Sequence, residues 1–300
     1  MNMKKTILFI SLITLSFGVS QAQQVPQFSQ NMFNKLANNP AIAGSSESIN
    51  ATVLHRSQWM GFDGAPTTLN LSVESPIDLL HGGIGLNIVS DQIAEYKNLG
   101  LQLSYAYQTD LGEGQLGIGA SGGMFQSGLD GGNLNSADPE NFATESGTAI
   151  DFGAGLYYTT QDVYIGLSSL HMTEPTIENE ENIVELSRHY FLLAGYSHEI
   201  NSLVSLNPSI YLKSDGSTSQ LDVNAMIKYN NKMWGGVSYR LDEGIVLITG
   251  MEIIPDIKLG IAYDVVLNGI QNNSLEFMLG YSFKVDYDRP VRSYKNPRYL

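Results

Sequence analysis

The sequence predicts an all-β fold, a transmembrane antiparallel β-barrel of about 14 strands with an N-terminal plug or periplasmic segment. Three observations carry this reading: strands with two unlike sides, an export signal, and connections that alternate between tight and long. The last long segment shows the first most plainly. Leu275, Phe277, Leu279, Tyr281, Phe283 and Val285 alternate with Ser274, Glu276, Met278, Gly280, Ser282 and Lys284, the period of two that puts apolar and polar side chains on opposite faces of a strand. Leu99, Leu101, Leu103, Tyr105 and Tyr107 repeat the pattern against Gly100, Gln102, Ser104, Ala106 and Gln108.

Alternation runs through residues 48–57, 65–75, 82–91, 95–108 and 114–127, and after a long gap through 148–160, 162–172, 186–200, 202–214, 219–230, 232–241, 244–253, 256–267 and 274–285. Several of these segments reach the roughly 9 to 11 residues that cross a bilayer at a tilt, whereas ordinary strands peak near 5 to 6. A secreted β-sandwich would alternate equally well. The polar sides, however, are crowded with small residues, as at Gly117 and Gly119 or Gly153 and Gly155, which suits a lumen wall better than a solvent face.

The N-terminus adds location. Lys4 and Lys5 precede an apolar run from Ile7 to Val19, then Ser20, Gln21 and Ala22: a cleavable export signal over 1–22, too short to span a membrane comfortably. Removal after Ala22 would leave a chain beginning at Gln23. With no cysteine, neither disulfides nor a lipid-modified cysteine are available. A formal net charge of −14 argues against nucleic acid as a partner, because phosphate binding needs the opposite sign.

Connections at Asp110 to Glu113, Thr160/Gln161, Ile200/Asn201, Asn230/Asn231 and Ile254/Pro255 are tight. Those at Gly128 to Gly147, Thr173 to Glu185, Asp215 to Thr218 and Asn268 to Asn273 are longer. Outer-membrane barrels pair short periplasmic turns with longer external loops. An even strand number with this parity places both termini in the periplasm. Trp59 and Trp234 fall at strand ends, where indoles form membrane-interface girdles.

Motifs of chemistry are weak. Gly119-Ala120-Ser121-Gly122-Gly123 matches the nucleophile-elbow pattern G-x-S-x-G but runs on as strand with no helix to follow. Asp130, Asn133, Asn135 and Asp138 lack the spacing of a calcium loop, and the acidic run around Glu174, Glu178, Glu180, Glu181 and Glu185 reads as a hydrated loop. His55, His81, His171, His189 and His198 have no ligand spacing. No catalytic residue, cofactor site or metal site is expected.

One stretch is neither strand-like nor a generic linker: Pro26-Gln27-Phe28-Ser29-Gln30-Asn31-Met32-Phe33-Asn34, then Asn38-Asn39-Pro40-Ala41 and Ala43-Gly44-Ser45. It resembles the opening of the PorP/SprF family of the type IX secretion system. Arg56-Ser57-Gln58-Trp59-Met60-Gly61-Phe62 with Gly64-Ala65-Pro66-Thr67-Thr68 looks like that family's second signature, in the same order. Lys35 departs from the proline the resemblance leads one to expect. The resemblance implies a non-enzymatic outer-membrane barrel of Bacteroidota-type bacteria, tied to secretion of surface proteins and, in some members, to gliding adhesins. It also implies secreted cargo and periplasmic, peptidoglycan-associated machinery as partners, beside membrane lipid.

The expected organisation is a signal peptide (1–22), a plug or periplasmic segment (23–47), a barrel (48–285) and a basic tail (286–300). Candidate plug or partner contacts are Pro26, Gln27, Phe28, Met32, Phe33, Asn34, Asn39, Pro40, Arg56, Trp59, Gly61 and Phe62. Residues 23–47 fold into the lumen in one reading and hang in the periplasm as a docking peptide in the other. The tail, with Arg289, Arg292, Lys295 and Arg298, is a disordered end or a contact with acidic machinery. The leading function is export or surface attachment of partner proteins; a channel resembling the fatty-acid channel family is the alternative.

Overall fold

The computed structural model describes residues 25–46, 48–129, 145–178, 183–268 and 272–284. The signal region, the basic tail, most of the 128–147 connection and residues 179–182 of the 173–185 connection lie outside those residues. Period-two segments become the strands β1 (Ser48–Ser57), β2 (Thr67–Ile77), β3 (Gly82–Ile93), β4 (Tyr96–Leu111), β5 (Gly114–Leu129), β6 (Glu145–Thr159) and β7 (Val163–Leu170). Next comes β8, which runs as His189–Tyr196 and resumes after Ser197 as His198–Asn201. The series ends with β9 (Val204–Ser214), β10 (Ser219–Tyr229), β11 (Met233–Arg240), β12 (Gly244–Ile254), β13 (Ile257–Val266) and β14 (Ser274–Lys284). A small hairpin, Thr176–Glu178 with Ile183–Glu185, stands apart from the sheet.

Every strand pairs antiparallel with its sequence neighbours, and β1 pairs with β14 from Ser48 opposite Lys284 to Ser57 opposite Leu275. That last pairing closes the 14-strand barrel. Closure matters because an open edge in hydrocarbon would leave its N–H and C=O groups without partners. None of the helices among the described residues is long and apolar enough to cross a membrane; crossing is left to the strands.

The two ends differ. At one, which we call the turn end, all links are short: 78–81, 112–113, 160–162, 202–203, 230–232 and 255–256. Asn230 and Asn231 both take positive φ, 51° and 53°, the tight-hairpin conformation that asparagine tolerates. At the other, the loop end, links vary from 94–95 and 241–243 to 58–66 and 171–188. The size alternation is therefore one-sided: the turn end is uniformly short, and the loop end holds both kinds.

Side chains sort as the alternation requires. Leu103, Ile118, Phe152, Leu167, Val237, Leu247 and Phe277 are exposed on the outer wall, while their neighbours Ser104, Gly119, Asp151, Ser168, Ser238, Val246 and Glu276 are buried on the lumen side. One girdle assignment is overturned. Trp234 shares the register of Gly236, Ser238 and Arg240 in β11, so it points inward, is buried, and meets the Phe33 ring at 5.1 Å. Its place near a strand end did not reveal which face it was on.

Leu103 sits at mid-height of β4 and is 60% exposed. Leu103→Lys is expected to destabilise the folded barrel by about 2–4 kcal/mol, the cost of a charge on the lipid face near the midplane, with Leu103→Thr costing far less. Urea unfolding in lipid vesicles measures both.

Candidate functional site

The lumen is occupied by the chain's own residues 25–46, with Ser29, Gln30, Asn31, Asn34 and Leu36 through Ala43 buried. Val25 starts this plug in the loop-end half, where its carbonyl accepts a hydrogen bond from Lys213 Nζ at 3.1 Å. Gln27 Nε2 donates to Gln220 Oε1 at 3.1 Å and Glu243 Oε2 at 2.8 Å, also at that end. The segment then crosses the lumen and joins β1 at the turn end. The expectation that both termini share one side concerns residues outside those described; of the described ones, Val25 is at the loop end and Lys284 at the turn end.

A charged clamp holds the plug at Ser29. Arg56 near the end of β1 lies 2.7 Å from Asp264 and 3.5 Å from Glu276; Arg240 at the end of β11 lies 3.1 Å from both Asp222 and Asp264. All five side chains are buried. The Ser29 hydroxyl donates to Asp264 at 2.7 Å and accepts from Arg56 Nη1 at 2.8 Å and Arg240 Nη2 at 3.4 Å, filling its one donor and two acceptor positions. The backbone N–H groups of Ser29 and Gln30 donate to the two carboxylate oxygens of Glu276 at 2.7 and 2.9 Å. Three buried carboxylates, with the partly exposed Glu243 3.5 Å from Arg240 as a fourth, thus face two guanidiniums, and plug N–H groups help to balance the excess. Asn31 Nδ2 reaches Asp222 at 3.4 Å.

Below the clamp the contacts turn apolar. Phe28 joins Leu54, Met226, Trp234, Val246, Ile248, Ala262 and Met278, with Met32 and Phe33 packed against the cluster. Asn34 donates to Asn70, whose amide is tied to Asn87 at 2.7 Å. Asn39 caps the 3-10 turn Pro40–Ile42 by accepting from the Ala41 N–H at 2.9 Å, and its own amide donates to the Leu156 carbonyl at 3.0 Å. The turn fits because the wall there is glycine: a Cβ on Gly119 would lie 2.4 Å from Ala41 N, and one on Gly155 2.1 Å from Asn39 Oδ1. Close backbone approach of this kind is what a strand glycine permits.

The first signature block, Pro26, Gln27, Phe28, Met32, Phe33, Asn34, Asn39 and Pro40, is thus inside the lumen. The second is divided. Arg56 belongs to the clamp, while Trp59, Gly61 and Phe62 lie in the 58–66 loop, with Trp59 N–H donating to Ser274 Oγ at 3.1 Å, Gly61 at φ 87° and Phe62 51% exposed. Sequence reasoning missed Ser29, Asp222, Arg240, Asp264 and Glu276. The available signal was ionisable residues on lumen-side positions of otherwise small or neutral strand faces.

Elsewhere, His171 Nδ1 is 2.9 Å from Asp151 Oδ2 and its ring is 5.9 Å from that of His189, a proximity the sequence spacing did not show. No group of three potential metal ligands occurs among the described residues. Gly119 to Gly123 is strand throughout, within β5.

The family model described as type IX secretion system membrane protein PorP/SprF matches residues 20–281. The chain belongs to the PorP/SprF family. No curated protein matches this PorP/SprF member by sequence. Among solved structures it is similar to the CymD monoaromatic hydrocarbon channel, with 12% identity and a TM-score of 0.51 over 89% of this chain and 95% of that one. Weaker likenesses are the Acinetobacter baumannii outer membrane protein Omp33 (9% identity, TM-score 0.48, 80% and 100% covered) and a Pseudomonas aeruginosa FadL homologue (13%, 0.44, 82% and 93%). At such identity the CymD likeness speaks for the fold alone: this PorP/SprF member is an outer-membrane β-barrel.

Lys35 lies in the plug with its Nζ 3.4 Å from the Tyr164 ring centroid. Burial, then repulsion by Lys228, brings its pKa down to about 8 against a partial counter-effect of Glu74. Two outcomes follow. Acylation of Lys35 by an amine reagent, read by peptide mass spectrometry, should rise through about pH 8, below the range of an ordinary lysine. In this cysteine-free chain, Asn31→Cys should resist maleimide until Arg56→Met or Arg240→Met is added, because leaving buried carboxylates unpaired costs about 3–5 kcal/mol.

Proposed function

We propose that this protein is a non-catalytic component of type IX secretion that helps export a partner protein or hold it at the cell surface, gliding adhesins being one class of such cargo. It sits with its turn end in the periplasm, facing peptidoglycan-associated machinery, and its loop end outward. The observation that carries this reading is the family match, which spans the whole plug signature and all but the last few residues of the barrel. The lumen supports it: an interior occupied by the chain's own N-terminal segment and locked by buried ion pairs suits a scaffold better than a pore.

The channel reading draws on the shared fold with the CymD barrel, but a fold does not carry a function. Steady solute flux through the intact barrel would favour it.

A deletion strain tests the proposal. Cells lacking this gene should fail to export or retain at least one surface protein bearing a type IX C-terminal domain, as read by surface proteomics and restored by complementation. Unchanged surface proteins would refute the secretion role.

A further inference from the structure

Below Met32 and Phe33 the lumen widens into a cavity of about 370 Å³. Its lining includes Lys35 of the plug and, on the walls, Asn50, Glu74, Thr159, Lys258 and Ser282, all positions toward the turn end of their strands. Its inner end is walled by Met32 and Phe33, with the Phe28 and Trp234 cluster and the arginine clamp behind them. The cavity is a recess entered from the turn end.

Its charges are unlike those of the clamp. Lys35 and Lys258 line the recess, and Lys228 stands near enough to repel Lys35 and to feel Lys258. Among the described residues none of the three has an ion-pair partner within 4 Å, whereas both clamp arginines do. Lys35 has only the faces of Tyr164 and Tyr157. Of the nearby carboxylates, Glu74 accepts from Asn50 Nδ2 at 2.9 Å through Oε1, but its Oε2 is buried with no partner. Glu252, opposite Lys258 in register, accepts from the Asp256 N–H at 3.3 Å. Unpaired ammonium groups beside one unsatisfied carboxylate oxygen form a site short of both an anion and a donor.

We propose that this recess is a socket for a carboxylate-bearing peptide segment entering from the turn end, with Lys35 and Lys258 holding its carboxylates and Glu74 Oε2 accepting a backbone N–H. A free phosphate or other simple anion satisfies the lysines but meets repulsion from Glu74; a peptide supplies both charges and donors. Met32, Phe33 and Met278 give the inner wall an apolar surface for a side chain. The volume lies at the small end of the roughly 300–1,000 Å³ of ligand pockets, room for a chain end or tip and not for a folded domain.

This inference deepens the secretion reading, yet its test is independent of export. The full-length barrel, purified in detergent, is titrated calorimetrically with two synthetic pentapeptides that differ only in Glu or Gln at two positions, and with inorganic phosphate. The Glu peptide is expected to bind at least tenfold more tightly than the Gln peptide, and Lys35→Gln with Lys258→Gln to abolish that preference. Lys35→Arg should retain it, and Glu74→Gln should weaken peptide binding without weakening phosphate. Heat-modifiable gel migration checks that each variant is folded; should the double variant fail that check, Lys258→Gln alone must reduce the preference. Equal binding of the two peptides, a preference that survives loss of both lysines, or phosphate competing as strongly as peptide overturns the socket. Absence of the Glu-peptide preference, with surface proteins lost from the deletion strain, strikes only the socket, whereas unaltered surface proteins in the deletion strain strike the secretion role.

Discussion

Closure of the sheet is the constraint on which the rest depends. Once β1 pairs with β14, every strand has one face toward lipid and one toward a lumen, and a shift of one residue would exchange them. The outer face is then committed to Leu, Ile, Val, Phe and Tyr. The inner face must be filled or flooded, and here the chain fills it with its own first residues. Their polar backbone has no ladder to join, so the wall supplies partners instead: Glu276 for two N–H groups, Gln108 for the Ala41 and Ala43 carbonyls, Ser168 for the Asn38 carbonyl.

The clamp illustrates how charge is tolerated inside. A lone buried ion costs several kcal/mol, and a pair recovers this only with good geometry and satisfied hydrogen bonds. Arg56, Arg240, Asp222, Asp264 and Glu276 come from β1, β11, β10, β13 and β14, so their arrangement exists only in the closed barrel. Ser29 sits at their centre. The clamp therefore couples correct closure to correct plug placement, while the apolar cluster around Phe28 adds attachment without direction.

The sequence made the outer wall legible because lipid imposes a period of two that any reader can count, as from Leu275 to Phe283. It also showed the plug segment as something other than strand. What it withheld was depth and facing. Trp234 looked like a girdle residue and proved to be lumen packing, since a strand end says nothing about which face a side chain occupies. Arg240 and Asp264 are far apart in sequence and carry no local pattern; only the registers β11 to β12 and β12 to β13 bring them to one level. The small residues Gly119 and Gly155 were readable as a crowded wall, but not as the bed of the Pro40–Ile42 turn.

The covalent tether of the plug gives it a direction. Residues 25–46 are joined to the barrel through β1, which begins at Ser48 at the turn end, while the clamp grips them near the opposite mouth. The plug is therefore fastened at both mouths by bonds of different kinds, a peptide bond at one and ion pairs at the other, and the recess lies at the covalent end. A tether and a lock bracket a single passage, and only the lock depends on charge.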